Sequence, residues 1–444
     1  MEKVRCDIIK LIAILSRIKE EYVIIMADYK KLWTKLGIDL EKHDKLCAVL
    51  PELYGGVYLT QKNRPEGMNY FNFVVAEVHG LRIQELDDYK AQGGKVVGTF
   101  CVFVPDEVIL AAKAIGVGLC SGSQFWVEDG EKVLPRNICP LIKALMGAKV
   151  GGTCPYFQSC DMLIGETTCD GKKKAWEILN DYVPVHVMEL PQMKREKNCE
   201  AWAEEIKEFM SKMEELTGNK ITVESLRQGI KTANAKRKAL KRLYNLRKYK
   251  PSPISGLDVL LISQIAFYDD PDRFVEKLNE LCDELDERVK KGVDEGKKRI
   301  MITGTPMALP NWKLHSIIEG LNAQVVVEET CTGTRYFENE VCEDGETIDD
   351  LVKNLADRYM KINCACFTPN TGRIDDIIKY ADEYHVDGVI DFNLSFCHTY
   401  AVEHKYVEKS LKEKNIPVIQ IETDYSTEDS GQIKTRVEAF LEMI

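Results

Sequence analysis

Several features that would narrow the function at once are missing from this sequence. The chain has no excess of positive charge, since its net charge is −11 at pH 7. This argues against a general nucleic-acid binder. An uninterrupted apolar run is absent too. The run over residues 8–26 contains five charged side chains, so it predicts an amphipathic helix rather than a membrane span. With no signal peptide in view, we expect a cytoplasmic protein.

Two common ligand-binding motifs are also lacking. There is no Cys-x-x-Cys pair of the kind that forms zinc knuckles, and the nearest spacing is Cys364-Ala365-Cys366. The stretch TGTPMALPNWK, residues 303–313, lacks the GxxxxGKS or GxxxxGKT spacing of a P-loop. The sequence therefore argues against a zinc-knuckle domain and against a P-loop nucleotide site.

The chain has 444 residues, which suggests two or three domains. Since 45% of the residues are hydrophobic, there is enough apolar sequence to form their cores. An alternation of strand and helix begins near Gly94, with a strand predicted over 96–102, a helix over 105–114 and a strand that ends at Cys120. The same alternation returns at Lys298. This pattern predicts parallel sheets covered by helices.

We therefore predict an α/β fold with two Rossmann-like, doubly wound domains of parallel sheet. The first spans 91–195 and the second spans 298–444. A helical N-terminal region precedes them over 1–90, and a helical connecting region joins them over 196–297. The basic run 236–250 lies in this connecting region, and we interpret it as the solvated face of a helix.

The two halves repeat the same placement of cysteines. Cys120 and Cys331 each end the second strand of their half. Cys169 and Cys397 each follow the third strand and open a helix. Ligands of open parallel sheets bind beyond the carboxyl ends of the strands. We therefore expect these thiols to face a cleft between the two domains.

The chain has 15 cysteines, and in a reducing compartment they are expected to be thiols rather than disulfides. Some of them are expected to be inert core residues, because free cysteine is among the most buried residue types. The cysteines given this interpretation are Cys6, Cys47, Cys160, Cys199 and Cys282.

The remaining thiols have the spacing of a metal–sulfur site. Thiolates at helix starts are stabilised by the helix dipole, but several of them in one cleft repel each other unless a cation neutralises them. Cys120, Cys139, Cys154 and Cys169 are 19, 15 and 15 residues apart, which is neither a zinc-knuckle nor a ferredoxin spacing. This favours an iron–sulfur cluster between the domains. A zinc site and buried or redox-active thiols remain alternatives.

The same residues resemble a known family. The motifs LPRNICPLIK, DMLIGETTCDGKKK, ITGTPMALPNWKL and EETCTGTRYF are similar to those of the 2-hydroxyacyl-CoA dehydratase and benzoyl-CoA reductase family, over about residues 90–444. The motifs GLCSGSQ, GTCPYF and ISGLDVLLISQIAFYDDP resemble its branch of double-cubane cluster proteins.

The resemblance implies an iron–sulfur reductase component that holds a double-cubane [8Fe–9S] cluster between its two domains. It implies six cysteine ligands for that cluster. By position in the motifs, they are Cys120, Cys139, Cys154, Cys169, Cys331 and Cys397. The internal repeat leaves open whether Cys364 or Cys366 replaces Cys154 or Cys331, and no catalytic residue is assigned.

The resemblance also implies partners. It predicts a homodimer, a small-molecule substrate and a separate ATP-hydrolysing iron–sulfur activator dimer that supplies low-potential electrons. Two other functions stay open. One is an (R)-2-hydroxyacyl-CoA dehydratase subunit with a single [4Fe–4S] cluster, and the other is an electron-storage or cluster-carrier protein.

Overall fold

The computed structural model describes residues 29–119, 121–292 and 296–444. The predicted helix over 8–26 and the predictions for Cys6 and Cys120 lie outside these ranges. Within them the predicted α/β class is confirmed, because two four-stranded parallel sheets are surrounded by helices. The predicted helical character of the N-terminal region is also observed from residue 29 onward.

The first sheet has the strand order β2-β1-β3-β4. Its strands are β1 Lys95–Thr99, β2 Ala114–Gly118, β3 Met162–Glu166 and β4 Val185–Met188. The second sheet has the equivalent order β6-β5-β7-β8. Its strands are β5 Lys298–Gly304, β6 Ala323–Glu329, β7 Gly388–Leu394 and β8 Val418–Thr423. The internal repeat predicted from the sequence is therefore a repeat of topology.

The central strands are buried on both faces, as parallel strands covered by helices should be. Every residue of β3 and of β7 is buried. Successive side chains point to opposite faces, so Met162 and Leu163 enter different apolar cores. Each core also takes side chains from the second sheet, for example Val389 in one and Ile390 in the other. The two halves are thus packed together rather than tethered.

Helices account for most of the remaining chain. Those before the first sheet are a segment over 29–35, Leu40–Tyr54, the π-helical turn Gly55–Leu59, Met68–Ala76 and Leu81–Ala91. Those between its strands are Asp106–Ala111, the short 3₁₀ turn Gln124–Trp126, Val127–Gly130, Pro140–Val150, Pro155–Ser159 and Asp170–Leu179.

The connecting region is helical, as predicted. Its helices are Glu196–Thr217, Val223–Leu246, Gly256–Ile265 and Pro271–Lys291. The helices of the second half are Lys313–Gly320, Thr334–Phe337, Ile348–Tyr359, Thr371–Glu383, His398–Glu413 and Ser430–Met443. Among the helices described, none combines the length and the apolar character needed to cross a membrane.

The prediction that the basic run 236–250 is a solvated face is wrong for two of its arginines. Arg237 and Arg247 are buried. Arg237 pairs with Glu107 of the first half at 2.7 Å, and Arg247 pairs with Glu328 of the second half at 2.6 Å. These ion pairs join the connecting helix Val223–Leu246, and the loop that follows it, to both halves.

Candidate cluster-binding cavity

A cavity of about 1700 Å³ lies between the two halves. Loops that follow the carboxyl ends of strands in both sheets line it, together with part of the N-terminal helical region. Nine cysteines of the described residues face it: Cys47, Cys101, Cys139, Cys154, Cys169, Cys331, Cys364, Cys366 and Cys397. They include every described member of the predicted ligand set. Cys120 lies outside the described residues, although its neighbours Leu119 and Ser121 line the cavity.

Three of these thiols form a first group, Cys139, Cys169 and Cys397. Each is the N-cap residue of a helix, and these helices are Pro140–Val150, Asp170–Leu179 and His398–Glu413. Two of the three sulfurs come from the first half and one from the second. The local sequence explains the placement at Cys139, because proline is favoured at the first position of a helix and fixes where it begins.

Burial dominates the electrostatics of the first group. It raises the pKa of Cys139 to about 11, and the neighbouring Cys169 adds to the rise. Burial likewise raises the pKa of Cys397, with further contributions from Cys139 and Cys169. Backbone N–H groups at the helix starts oppose this, among them those of Leu141 and Ile142 at Cys139. The three thiols therefore lie close enough to act on each other, and they stay protonated unless a cation compensates for burial.

A second group consists of Cys331, Cys364 and Cys366. Cys331 follows β6, and the other two follow the helix Ile348–Tyr359. The Arg335 guanidinium lies 3.8 Å from the Cys331 sulfur, and the Tyr400 hydroxyl lies 3.5 Å from the Cys364 sulfur. The neighbouring Cys366 side chain, helped by Arg335 and Tyr400, lowers the pKa of Cys364 to about 5. The same interaction raises the pKa of Cys366, so Cys364 is the thiol of this pair that loses its proton first.

A network of buried charges supports the second group. Arg335 donates to Glu329 at 2.6 Å, and Arg373 donates to the same carboxylate at 3.1 Å. Arg373 also pairs with Glu403 at 2.5 Å. Glu329, Arg335 and Arg373 are all buried. Because charges buried without partners are costly, this network fixes the guanidinium of Arg335 beside the thiols.

A buried lysine lies between the two groups. Lys172 is in the first turn of the helix Asp170–Leu179 and pairs with Glu166 at the end of β3. Burial raises the pKa of Cys169 in the first group and of Cys331 in the second, and the positive charge of Lys172 opposes both rises. The two neighbouring lysines, Lys173 and Lys174, are exposed and pair with nearby carboxylates.

Cys154 belongs to neither group and is a neighbour of Cys160. It is the N-cap residue of the short helix Pro155–Ser159, and burial raises its pKa to about 11. Cys160 is buried, as predicted, and its thiol donates to the Tyr156 carbonyl at 3.2 Å. Cys154 adds to the raised pKa of Cys160. Assignment of Cys154 as a cluster ligand stays a prediction, as does that of the other five cysteines.

Cys101 is a cavity-lining thiol that sequence reasoning missed. The predicted strand over 96–102 placed it inside a strand, whereas β1 ends at Thr99 and leaves Cys101 in the loop beyond its carboxyl end. Burial raises its pKa, and Glu166, Cys331 and Cys364 all act on it. The signal that could have found it was its position two residues after a strand, which is also the position of Cys331 after β6.

The chemistry of these side chains fits a metal–sulfur group. Thiolates are the preferred ligands of iron–sulfur clusters and of zinc. Here most of the cavity thiols have pKa values raised by burial, which a bound cation would reverse. Two buried cations, Lys172 and Arg335, lie near these sulfurs, and backbone N–H groups donate to some of them. Both features stabilise negative charge on sulfur.

Comparison with known proteins confirms the predicted resemblance. A sequence model of the family described as 2-hydroxyglutaryl-CoA dehydratase, D-component, matches residues 101–444. YjiM of Escherichia coli strain K12, named provisionally as a dehydratase subunit, is 42% identical over 366 residues, which are 80% of this chain and 93% of YjiM.

More distant relatives have established names. The (R)-phenyllactyl-CoA dehydratase beta subunit of Clostridium sporogenes is 26% identical over 360 residues, 79% of this chain and 92% of that subunit. One subunit of the benzoyl-CoA reductase of Thauera aromatica is 25% identical over 353 residues, 77% of this chain and 87% of its own length. Relatives of both kinds are enzyme subunits, which supports an enzymatic function of this general kind.

Proposed function

The chain belongs to the 2-hydroxyglutaryl-CoA dehydratase, D-component, family, and we propose that it is an iron–sulfur reductase component with a double-cubane [8Fe–9S] cluster in the cavity between its halves. In this proposal an ATP-hydrolysing iron–sulfur activator supplies low-potential electrons, and a small molecule is reduced. The chain acts as a homodimer.

One observation carries the proposal, namely that the cavity contains two separate groups of thiols. A [4Fe–4S] cubane takes about four ligands. The first group has three cysteines, and the second has three with Cys101 beside them. A single cubane would leave most of one group without a function, whereas two linked cubanes use both groups.

The second group also bears on which cysteine, Cys154 or Cys364, is a ligand together with Cys331. Cys364 lies beside Cys331 and has a lowered pKa, whereas Cys154 lies beside Cys160. We therefore favour Cys364 over Cys154 as the partner of Cys331, which is the alternative that the internal repeat left open. Cys139, Cys169 and Cys397 would hold the other cubane.

When bound, a cluster of this kind supplies one-electron transfer at low potential. The side chains around it would keep water out and set that potential, since hydrogen bonds and charges near the sulfurs tune iron–sulfur centres. Lys172 and Arg335 would favour the reduced, more negative state. N–H groups at the starts of three helices would act in the same direction.

A dehydratase subunit with a single [4Fe–4S] cluster is the second candidate. The relatives named as dehydratase subunits favour it. The cavity is also larger than the 300–1,000 Å³ typical of small-molecule sites, at about 1700 Å³. It therefore has room for part of an acyl-CoA thioester beside a cluster.

The decisive experiment is the iron and acid-labile sulfide content per chain, on protein purified without oxygen. About eight irons, two cubanes' worth, would support the double-cubane reductase. About four would contradict it and favour the dehydratase. The absence of iron after reconstitution would contradict both. A loaded protein should then reduce a small molecule only with activator and ATP. A cluster without any turnover would instead indicate an electron-storage or carrier protein.

A further inference from the structure

A further cluster of potential metal ligands lies in the N-terminal helical region and shares no residue with the two thiol groups. His43 and Cys47 are one turn apart on the helix Leu40–Tyr54, and His79 lies in the turn before the helix Leu81–Ala91. All three side chains are buried, and their ligand atoms lie within 4.8 Å of one another. Cys47 was expected to be an inert core thiol, and the spacing His-x-x-x-Cys over residues 43–47 is the sequence signal for a metal site.

The distances in this group are close to those of a tetrahedral metal site. The His43 Nε2 and His79 Nδ1 atoms are 3.0 Å apart, and the Cys47 sulfur is 3.7 Å from both ring nitrogens of His43. Two nitrogens bound to one zinc ion would be about 3.3 Å apart, and a nitrogen and a sulfur about 3.6 Å apart, given tetrahedral angles and ordinary bond lengths. Because the sulfur is equally far from both ring nitrogens, it lies over the imidazole ring, and ligation requires a rotation of the His43 or Cys47 side chain that brings the sulfur in front of Nε2.

The protonation of the group suits ligation. Burial lowers the pKa of His43 to about 4 and that of His79 to about 3, so both imidazoles are neutral, which is the form that binds metal. Burial raises the pKa of Cys47 to about 12. Binding of a divalent cation therefore requires the thiol to release its proton, and the product is a metal–thiolate bond plus one proton in solution.

We propose that His43, Cys47 and His79 bind one Zn²⁺ ion. Zinc is chosen because it accepts imidazole and thiolate together in tetrahedral geometry, often with a water as the fourth ligand. A void of about 10 Å³ beside Cys47 and His79 is about the size of one water molecule. Glu77 also lines this void, and the Tyr29 hydroxyl donates to its carboxylate at 3.1 Å. Glu77 is positioned to accept a hydrogen bond from that water.

The ion would join the helix Leu40–Tyr54 to the turn that contains His79. Cys47 and His79 line the large cavity. His43 is buried on the same helix as Cys47 but is not among the residues that line the cavity. The site is independent of the proposed iron–sulfur function, since it shares no cysteine with either thiol group.

The test uses the full chain, purified without oxygen and with its iron retained, so that the cavity thiols are occupied. Zinc per chain is measured in the wild type, in Cys47→Ala, in His79→Gln and in the matched control Cys282→Ala, a buried helical thiol elsewhere. We expect about one zinc in the wild type and in Cys282→Ala, and its loss in the other two. About one proton should be released per zinc added to the zinc-depleted wild type.

Iron content and circular dichroism show whether each variant folds. Should Cys47→Ala fail to fold, the result with His79→Gln decides. Equal zinc in the wild type and in the folded variants would overturn the proposal. So would zinc that disappears only in Cys169→Ala, because the metal would then lie in the large cavity.

Discussion

The two thiol groups are built on halves of the same strand order, yet they are stabilised in different ways. The sulfurs of the first group, Cys139, Cys169 and Cys397, are at the N-termini of helices, and burial raises their pKa values. The second group lies in loops beside a buried guanidinium. The pKa values of Cys331 and Cys366 are raised there as well, whereas that of Cys364 is lowered.

The difference shows that the repeat is one of backbone and not of electrostatics. Duplicated topology places loops at equivalent strand ends, and cysteines in those loops face one cavity. The charged residues around these thiols differ between the two halves. Glu166 and Lys172 form one buried pair near the first group, whereas Glu329, Arg335 and Arg373 form a larger network under the second. We therefore expect the two groups to respond differently to substitution.

The largest expected effect is on iron content, when a ligand of the first group is removed. Cys169→Ala should lose at least half of the bound iron, because a helix N-terminus would then face the cluster without its thiolate. Iron per chain, measured without oxygen, checks this. Cys282→Ala is the control, since this thiol is buried in the helix Pro271–Lys291. Equal iron in both variants would remove Cys169 from the ligand set.

A second pair of variants compares the two candidates for the other cubane. Cys364→Ser should lose about half of the iron and keep the rest, because we expect the first group to hold its own cubane. Cys154→Ser should keep more iron, since Cys154 lies beside Cys160 rather than beside Cys331. The reverse ranking would restore Cys154 as the ligand that the family motifs imply.

The sequence predicted the parts of this site that depend on local pattern. Buried parallel strands are continuous apolar runs, so a strand was found at 162–164 and again at 388–392. Cys169 and Cys397 were correctly placed at helix starts for the same reason, because each follows such a run. The equivalent strand orders of the two sheets then explain why these thiols face one cavity.

What the sequence could not show depends on contacts between distant residues. Arg237 and Arg247 looked like part of a solvated basic run, because their partners Glu107 and Glu328 are far away in the chain. Cys101 was missed because the predicted strand runs three residues past the end of β1, in an apolar stretch where pattern alone does not mark the end. The Cys366 side chain, with Arg335 and Tyr400 in addition, lowers the pKa of Cys364, and only the folded chain brings the last two near it.

The network under the second group gives a third prediction, on stability. Arg335→Gln should lower the free energy of unfolding of the cluster-free protein by about 3–5 kcal/mol, because it leaves part of the buried charge on Glu329 unpaired. Urea denaturation checks this. Arg136→Gln is the control, since Arg136 is exposed and its ion pair with Glu131 is long, at 3.5 Å. Its expected change is within about 1 kcal/mol. Similar losses in both variants would mean that Arg335 is not structurally important.

The smallest expected effect distinguishes the groups by thiol reactivity in cluster-free protein. The thiolate is the reactive form, so Cys364, with a pKa of about 5, should react with iodoacetamide at a constant rate between about pH 6 and 9. Cys139 of the first group, with a pKa of about 11, should react about tenfold faster for each pH unit in the same range. At pH 7 the larger thiolate fraction of Cys364 is partly offset by its lower nucleophilicity, which leaves it about twentyfold faster. Tandem mass spectrometry assigns the modified residue. A Cys364 rate that rises with pH as steeply as that of Cys139 would show that Cys366, Arg335 and Tyr400 do not lower its pKa, and the two thiol groups would then be electrostatically alike.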